Sequence, residues 1–522
     1  MQFATKVLVL AALCCLTFTA CEDFLQENPQ DIITPSNFFN TESDARQALT
    51  GVYAIYKNNA LYGQLGLYTF YENGADVVGP NRGFGVVEPI GNYTLTETSA
   101  DQSIQLMGVL NTWKDLYKVV LNANILLDAL EGNDGIIEEV RTELTGEALF
   151  LRALAYYHLT NLWGDVPYYR DALPIAEIAR LGRTDKERIR QEILADLQIA
   201  QNTMPTAVAA VENGRASRWA AACTMAKIYL IQGDWQAARD KCLEIIESSP
   251  HRLLPTVEEV FDPLNEYNAE IVWELDFEKN VVSQFEQGRP DMAGNGNWFA
   301  SMFNPRLRDE PKNTEDRNTL IERLNANGEA FTGTGLQIPL PDLINKFPER
   351  DLRRPLTVQD TYEGIPLNFP YMPKMWNLSL DQSPRFNHSD NTLIYRLADV
   401  YLMAAEAENE LNGPAEAYEY LHAIRSRAYE AEADWRLENL STEAFRQAVR
   451  DERKWELAGE GHRRMDLIRW GILLETVKQT EYRVYDPAEN IQPYHVLLPI
   501  PQSELILNPA LLESDPTNNG YR

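Results

Sequence analysis

Apolar residues along much of this chain recur at three- and four-residue intervals, the period of an amphipathic helix. Ala45, Ala48, Leu49, Val52, Tyr53 and Tyr56 fall on one face of a predicted helix, and Thr41-Glu42-Ser43-Asp44 offers its N-cap. Leu110, Trp113, Leu116, Tyr117, Val120, Asn124 and Leu127 repeat the spacing. A third run begins at Gly146-Glu147-Ala148 and continues through Leu159; Gly164 and Pro167 should end it.

Residues 219–250 read as a helix pair. Ala226 and Tyr229 lie on the first predicted helix, Gly233-Asp234 turns the chain, Ala238, Cys242 and Ile245 follow, and Pro250 closes the unit. Small residues at a crossing let two helices approach, and an aromatic fills the gap, which is the tetratricopeptide pattern. A second pair is expected at 393–428, with Ala404-Ala405-Glu406-Ala407, then Asn412-Gly413-Pro414, then Ala417, Leu421 and Ile424. Between them, residues 262–390 change character: Gly294, Gly296, Pro339, Pro341, Pro370 and Pro373 cut the pattern into short pieces rich in aromatics. Ordered loops are expected there, carried by the helices. The fold class is therefore mainly α, with tetratricopeptide-like helix pairs in an α-α superhelix and a loop-rich ligand-binding face.

One apolar segment lacks this periodicity. Val7 to Phe18 follow Lys6 and precede Thr19-Ala20-Cys21. As a helix the run would cover only ~18 Å, too short for a ~30 Å bilayer core, so it reads as a secretory signal. A cysteine just after the cut can be acylated, so Cys21 is the expected lipidation site. No later stretch is apolar for long enough to span a membrane. Cys223 and Cys242 then remain as an internal pair, for which core packing is expected over a bridge.

The chain of 522 residues carries 77 acidic and 47 basic side chains, a formal charge of −30. Nucleic acid is excluded as a partner, because phosphate binding needs a basic face. Acidity of this kind keeps a displayed protein soluble.

The densest charged block is 450–469, where Glu452, Glu456 and Glu460 repeat beside Arg453, Arg463, Arg464 and Arg469. Carboxylates one helical turn apart with arginines between them read as a salt-bridged face, not as a glycosidase pair. No His-Glu-x-x-His helix, Gly-x-Ser-x-Gly elbow or phosphate-cradling loop is found. Nor does an Asp-x-Asp-x-Asp-Gly run support a calcium loop, so no catalytic residue, metal or cofactor is expected. Binding must rest on aromatics and planar polar groups, which suit the C–H face and hydroxyl rim of a sugar. Two segments mix them: Asp76 to Phe84, continuing to Tyr93, and Asn295-Gly296-Asn297-Trp298-Phe299. Arg82, Phe84, Tyr93, Trp298 and Phe299 are expected to meet in one shallow patch, with core packing the alternative for each aromatic. Trp376 is expected in a structural strand.

In order along the chain stand Cys21-Glu22-Asp23-Phe24-Leu25, Thr34-Pro35-Ser36-Asn37-Phe38-Phe39, Gly146-Glu147-Ala148 with Leu151-Arg152-Ala153, and Gly164-Asp165-Val166-Pro167. Glu452-Arg453-Lys454-Trp455-Glu456-Leu457-Ala458-Gly459-Glu460-Gly461-His462-Arg463-Arg464 and Leu498-Pro499-Ile500-Pro501 complete the series. Together these resemble the SusD/RagB family of outer-membrane nutrient-binding lipoproteins. The resemblance implies a signal peptide at 1–20, a lipidated tether and extended segment at 21–45, a helical region at 46–260, and a C-terminal region at 261–522 with a loop-rich insert at about 280–390. It further implies a non-catalytic lid on a SusC-like TonB-dependent transporter, anchored in the outer membrane and facing outward, that captures an oligosaccharide or, in some members, a peptide. In the family the two loop regions above resemble the ligand platform. The rivals from other classes are a surface glycoside hydrolase and a scaffold that grips protein only.

Overall fold

The computed structural model describes residues 39–522 apart from 83–86, 103–106, 210–211, 279–296, 306–312, 328–332, 379–387 and 485. Cys21, the signal segment and Phe84 thus lie outside the described residues.

Helix α1 (Glu42–Tyr56) starts at Thr41, whose Oγ1 accepts the Asp44 N–H at 3.3 Å while Asp44 Oδ2 accepts the Thr41 N–H at 2.8 Å. This reciprocal box satisfies two donors that a helix start otherwise leaves open. Its buried face is Ala45, Leu49, Val52, Tyr53 and Tyr56, as the spacing predicts. The short α2 (Gly66–Glu72) is buried along its whole length. Helices α3 (Val109–Leu130) and α4 (Glu138–Trp163) follow, and α4 stops where expected, at Gly164. Tyr53 and Tyr56 pin α1 to α4 by donating to Glu147 Oε2 and to the Leu151 carbonyl, each at 2.7 Å.

A Cβ on Gly146 would collide with the side chain of Thr203, so this glycine lets α5 (Lys186–Thr203) cross close to α4. Arg152 of α4 fixes that crossing: it pairs with Asp196 of α5 at 2.7 Å and donates to Asn124 of α3 at 2.7 Å. Next comes the hairpin of α6 (Arg218–Gln232) and α7 (Trp235–Ser248), turned by Gly233 at φ 70° and capped by Asp234. Ala226, Ala238, Cys242 and Ile245 are buried there. Cys223 and Cys242 are both free and buried, so the sulfurs pack rather than bridge.

Further along are α8 (Phe299–Phe303), α9 (Leu397–Asn412), α10 (Pro414–Arg425), α11 (Thr442–Glu456) and α12 (Arg463–Arg469). Helices α3 to α7 pack each on the next, α7 packs on α9, and α9 on both α10 and α11. The result is one continuous row of helices. Strands β1 (Val78–Pro80), β2 (Ile271–Leu275), β3 (Gln337–Pro339), β4 (Gln359–Tyr362), β5 (Ile365–Tyr371) and β6 (Thr392–Arg396) form three antiparallel ladders among the described residues: β1–β3, β2–β6 and β4–β5.

Two expectations for 262–390 need correction. The described part of this stretch is not mainly loop; it holds a 14-residue helix, Thr314–Asn327, and the β4–β5 hairpin. Trp376 is not in a strand but follows a single 3-10 turn, Pro373–Met375. Proline offers no N–H to a ladder, and its fixed φ suits the first position of such a turn.

The block 450–469 ties all of this together. Glu456 accepts from Arg353, Arg396 and Arg427, each at 2.7 Å. Glu452 pairs with Arg353 and Arg425, and Glu460 with Arg396 and Lys374. With Asp351 on Arg353 and Glu270 on Arg396 and Arg427, the carboxylates balance the cations. A second group joins Arg453 to Asp399 and Asp466, and Lys454 and Arg463 to Asp76. Glu72 of α2 accepts the backbone N–H groups of Gly459, Gly461 and His462 at 2.8–3.1 Å. Salt bridges were expected here, but along one helix face with its own interleaved arginines. Instead the carboxylates point inward to arginines from distant segments.

Burial alone would raise the acids in this core, yet the facing cations hold Asp399 and Glu456 well below the ordinary carboxylate range and Asp466 at about 2. Depressed folded-state values mean that the folded chain binds fewer protons than the unfolded one between about pH 4 and pH 2, so stability falls as pH drops through that window. Replacing Glu456→Gln strands three guanidiniums, and breaking a buried pair this way typically costs about 3–5 kcal/mol. Urea unfolding at pH 7 should show a markedly lower midpoint for E456Q, while the exposed Glu475→Gln stays within about 0.5 kcal/mol of the unmodified chain. Equal midpoints for all three proteins would contradict the central role of the network.

Candidate functional site

The register of β2 against β6 sets Glu274 opposite Leu393 and Leu275 opposite Thr392. Beside this ladder, residues 260–263, 265–266, 297, 299–300, 374–377 and 390–391 line a pocket of about 130 Å³. Its rings are Phe261, Phe299 and Trp376, and its polar side chains include Asn265, Glu266, Asn377, Asp390 and Asn391.

Each group is held from behind. Lys374 Nζ lies 5.1 Å from the Phe261 ring centroid and donates to Glu460 at 2.9 Å, so this wall rests on the ionic core. Asn377 and Asn304 exchange hydrogen bonds, the Asn377 N–H to Asn304 Oδ1 at 3.0 Å and Asn304 Nδ2 to the Asn377 carbonyl at 2.5 Å. The Asn377 amide also donates to Asp390. Asn297 Nδ2 reaches the Asp390 carbonyl at 2.7 Å and Thr392 Oγ1 at 2.9 Å, while its Oδ1 accepts the Phe299 N–H at 2.6 Å. Trp376 is half-buried, and its indole Nε1 is buried with no protein partner. A buried donor without a partner is disfavoured, so the indole leaves a hydrogen bond for a bound group or a water.

Glu274 lies at the pocket floor, 4% exposed. Burial pushes its carboxyl up to about 7, assisted by Glu266 and Asp276, against the Asn391 amide and the Tyr267 N–H that both donate to Oε1. Rings between amides and carboxylates suit a polyhydroxylated ligand, whose C–H face covers an aromatic and whose hydroxyls donate and accept. Among the described residues no group of three or more His, Cys, Asp and Glu is placed to hold a metal ion.

The sequence-derived residues are distributed as follows. Phe299 lines the pocket. Trp298, beside it, is buried and donates its N–H to the Gly63 carbonyl at 2.9 Å. Arg82 is half-buried, donating to Asn81 Oδ1 and to the Thr334 carbonyl, each at 2.9 Å. Thr334 in turn donates to the Ser301 carbonyl of α8, so Arg82 is tied to the helix that starts at Phe299. Tyr93 is not part of this group. It is 5% exposed, donates to the Gly74 carbonyl at 2.6 Å, and packs with Ala75, Leu467 and Leu473. Phe84 lies outside the described residues. Sequence reasoning missed Trp376, Asn377, Asp390 and Asn391; the one available signal was the clustering of Trp and Asn at 376–377 and of Asp and Asn at 390–391.

Residues 329–521 match the model of the SusD family, and residues 23–230 match one described as starch-binding associating with outer membrane. SusD-like protein P25 of Formosa agariphila is 56% identical over 510 residues, covering 96% of this chain and 97% of that one. Among solved structures, a laminarin-binding SusD-like protein is 25% identical with a TM-score of 0.72, covering 90% of this chain and 98% of that one. A SusD homologue from Bacteroides thetaiotaomicron shares the fold at 23% identity and a TM-score of 0.76, covering 91% and 97% of the two chains.

The surroundings of Glu274 generate a pH test. Its raised folded-state value means the folded chain binds more protons than the unfolded one between about pH 4.5 and 7, so this group lowers stability as pH rises through that interval. Glu274→Gln keeps Oε1 for both donors and removes the buried charge. Its unfolding midpoint should match the unmodified chain near pH 4.5 and exceed it above pH 7, by up to ~3 kcal/mol. Curves that stay parallel across pH 4.5–8 would show that the acid is not buried as a charge.

Proposed function

The chain belongs to the SusD family, and from that premise we propose that it captures a glycan at the cell surface and passes it, unaltered, to a TonB-dependent transporter barrel in the outer membrane. The observation that carries this reading is the outer pocket, where Phe261, Phe299 and Trp376 stand among Asn265, Asn377, Asp390 and Asn391. Arg82, tied to α8 through Thr334, supplies a second contact for the glycan. Cys21, which follows the short apolar run Val7 to Phe18 and the small Ala20, carries the lipid anchor that keeps the protein at the membrane. Laminarin is the first ligand to try, because the relative at 25% identity is a laminarin-binding protein.

Glu274 favours one rival, because a carboxyl titrating near 7 beside Glu266 and Asp390 has the profile of a general acid. Its position argues otherwise: it is 4% exposed, and the Tyr267 N–H at 2.7 Å and the Asn391 amide at 3.1 Å both occupy Oε1.

Calorimetry of the purified mature chain with laminarin tests both points. Saturable binding is expected, weakened at least about tenfold by Trp376→Ala with the circular dichroism unchanged, as for an aromatic anchor. No reducing ends should appear during prolonged incubation. Reducing-end release that Glu274→Gln abolishes would replace this reading with a hydrolase.

A further inference from the structure

Behind Phe299 the pocket has a neighbour. A cavity of about 110 Å³ lies between α2, α4, α6, β6 and α12, and Phe299, Thr392, Leu393 and Glu460 line both spaces. We propose that this inner cavity takes a single neutral pyranose ring, the end unit of the glycan chain, so that the protein reads a chain terminus as well as chain chemistry. The inference rests on the glycan reading above.

Size comes first. A water needs roughly 10–15 Å³ by the same measure, so the cavity has room for one six-membered ring in place of several waters. Six rings stand in its wall, those of Tyr62, Tyr68, Tyr71, Tyr157, Tyr395 and Phe299, among aliphatic and charged side chains. Phe299 meets Tyr68 edge to face, with centroids 5.2 Å apart.

Hydrogen bonding points to a ligand with acceptor oxygens. Tyr68 Oη is buried and has no protein partner. His158 bridges two further phenols, Tyr62 at Nε2 (2.9 Å) and Tyr71 at Nδ1 (2.6 Å). Burial pushes its imidazole down to about 3, so the ring is neutral. A neutral imidazole has one N–H and one lone pair. One phenol therefore gives its hydrogen to the ring, and the other receives the ring's hydrogen and keeps its own O–H to donate elsewhere. With Tyr68, two phenolic hydrogens on the cavity wall are not used by the imidazole, and hydroxyl or ring oxygens of a sugar would accept them.

Charge selects neutrality. The charged groups along the wall face one another or their neighbours: Lys227 pairs with Asp399, Arg453 with Asp466, Glu460 with Arg396, and Arg469 with Glu406. A uronate or sulfated end would enter without a counter-ion, and burying an unpaired charge is strongly unfavourable.

Tyr68→Phe is the discriminating variant. It removes a hydroxyl that has no partner, so the fold should keep or gain stability. The mature chain and Y68F would be titrated with laminarihexaose and with laminarin, and the number of proteins bound per laminarin chain measured by light scattering. Terminal reading predicts one protein per laminarin chain, and an affinity for laminarihexaose roughly three- to tenfold weaker in Y68F, the effect of one hydrogen bond. Several proteins per chain, or unchanged affinity in Y68F, would overturn the inference while leaving glycan capture intact. Failure of the unmodified chain to bind laminarin, laminarihexaose or any member of a wider glycan panel would overturn the function and the inference together. Saturable binding of aromatic-ended peptides that Y68F weakens, with no glycan bound, would reassign the cavity to a peptide side chain.

Discussion

Glu456 accepts three guanidiniums, from Arg353, Arg396 and Arg427, at a point where its own side chain is fully buried. Desolvating that many ions is expensive, and only complete pairing compensates it. Pairing is close to complete here because each segment of the chain brings its share: Arg353 from the insert, Arg396 from the end of β6, Arg427 from beyond α10, and Glu270 from just before β2. Apolar packing would tolerate a shift of one segment against another. A lattice of charge-assisted hydrogen bonds at 2.5–3.0 Å does not, because one displaced partner leaves a buried ion exposed to nothing. The network therefore sets register across elements hundreds of residues apart in sequence.

The residues around the pocket inherit that register. Lys374 leaves the network on one side to pair with Glu460, and on the other lies over Phe261 in the pocket wall. Glu460 borders both the outer pocket and the inner cavity. Arg396 closes β6, and the β2–β6 pairing then fixes Glu274, Leu393 and Thr392 at the pocket floor. Aromatic walls are soft, since rings slide on one another at little cost. Anchoring their backing groups in an ionic lattice makes a shallow site rigid without adding apolar bulk.

Much of the helical scaffold was legible in the sequence, because helix period and capping are local. Thr41 and Gly164 mark their helix ends, and both helix hairpins fall where the small and aromatic residues place them. The 450–469 block was legible as ionic, but not as buried. Its partners at 270, 353, 396, 425 and 427 carry no local mark of their role, and only tertiary contact discloses it. The candidate site was legible only in part. Phe299 lines it, but Tyr93 has the same surface-like context of Asn, Gly and Thr and is nevertheless buried, its backbone at φ 54° turning the ring toward Gly74. Trp376 erred in the other direction: it was expected in a structural strand, whereas Pro373 starts a turn, and Trp376 after it lines the pocket.

A rigid, charge-neutral core also explains how one scaffold can serve different ligands. The pocket residues Asn265 and Glu266 sit in the turn before β2, and Asp390 and Asn391 just before β6, while the network ions are buried. Changing Asn265 or Asn391 in the pocket strands no ion of the network. Changing a network side chain strands one at once. The pocket wall and the ionic core are only a side chain apart, as Lys374 between Phe261 and Glu460 illustrates. Specificity can move while the geometry that presents it stays fixed.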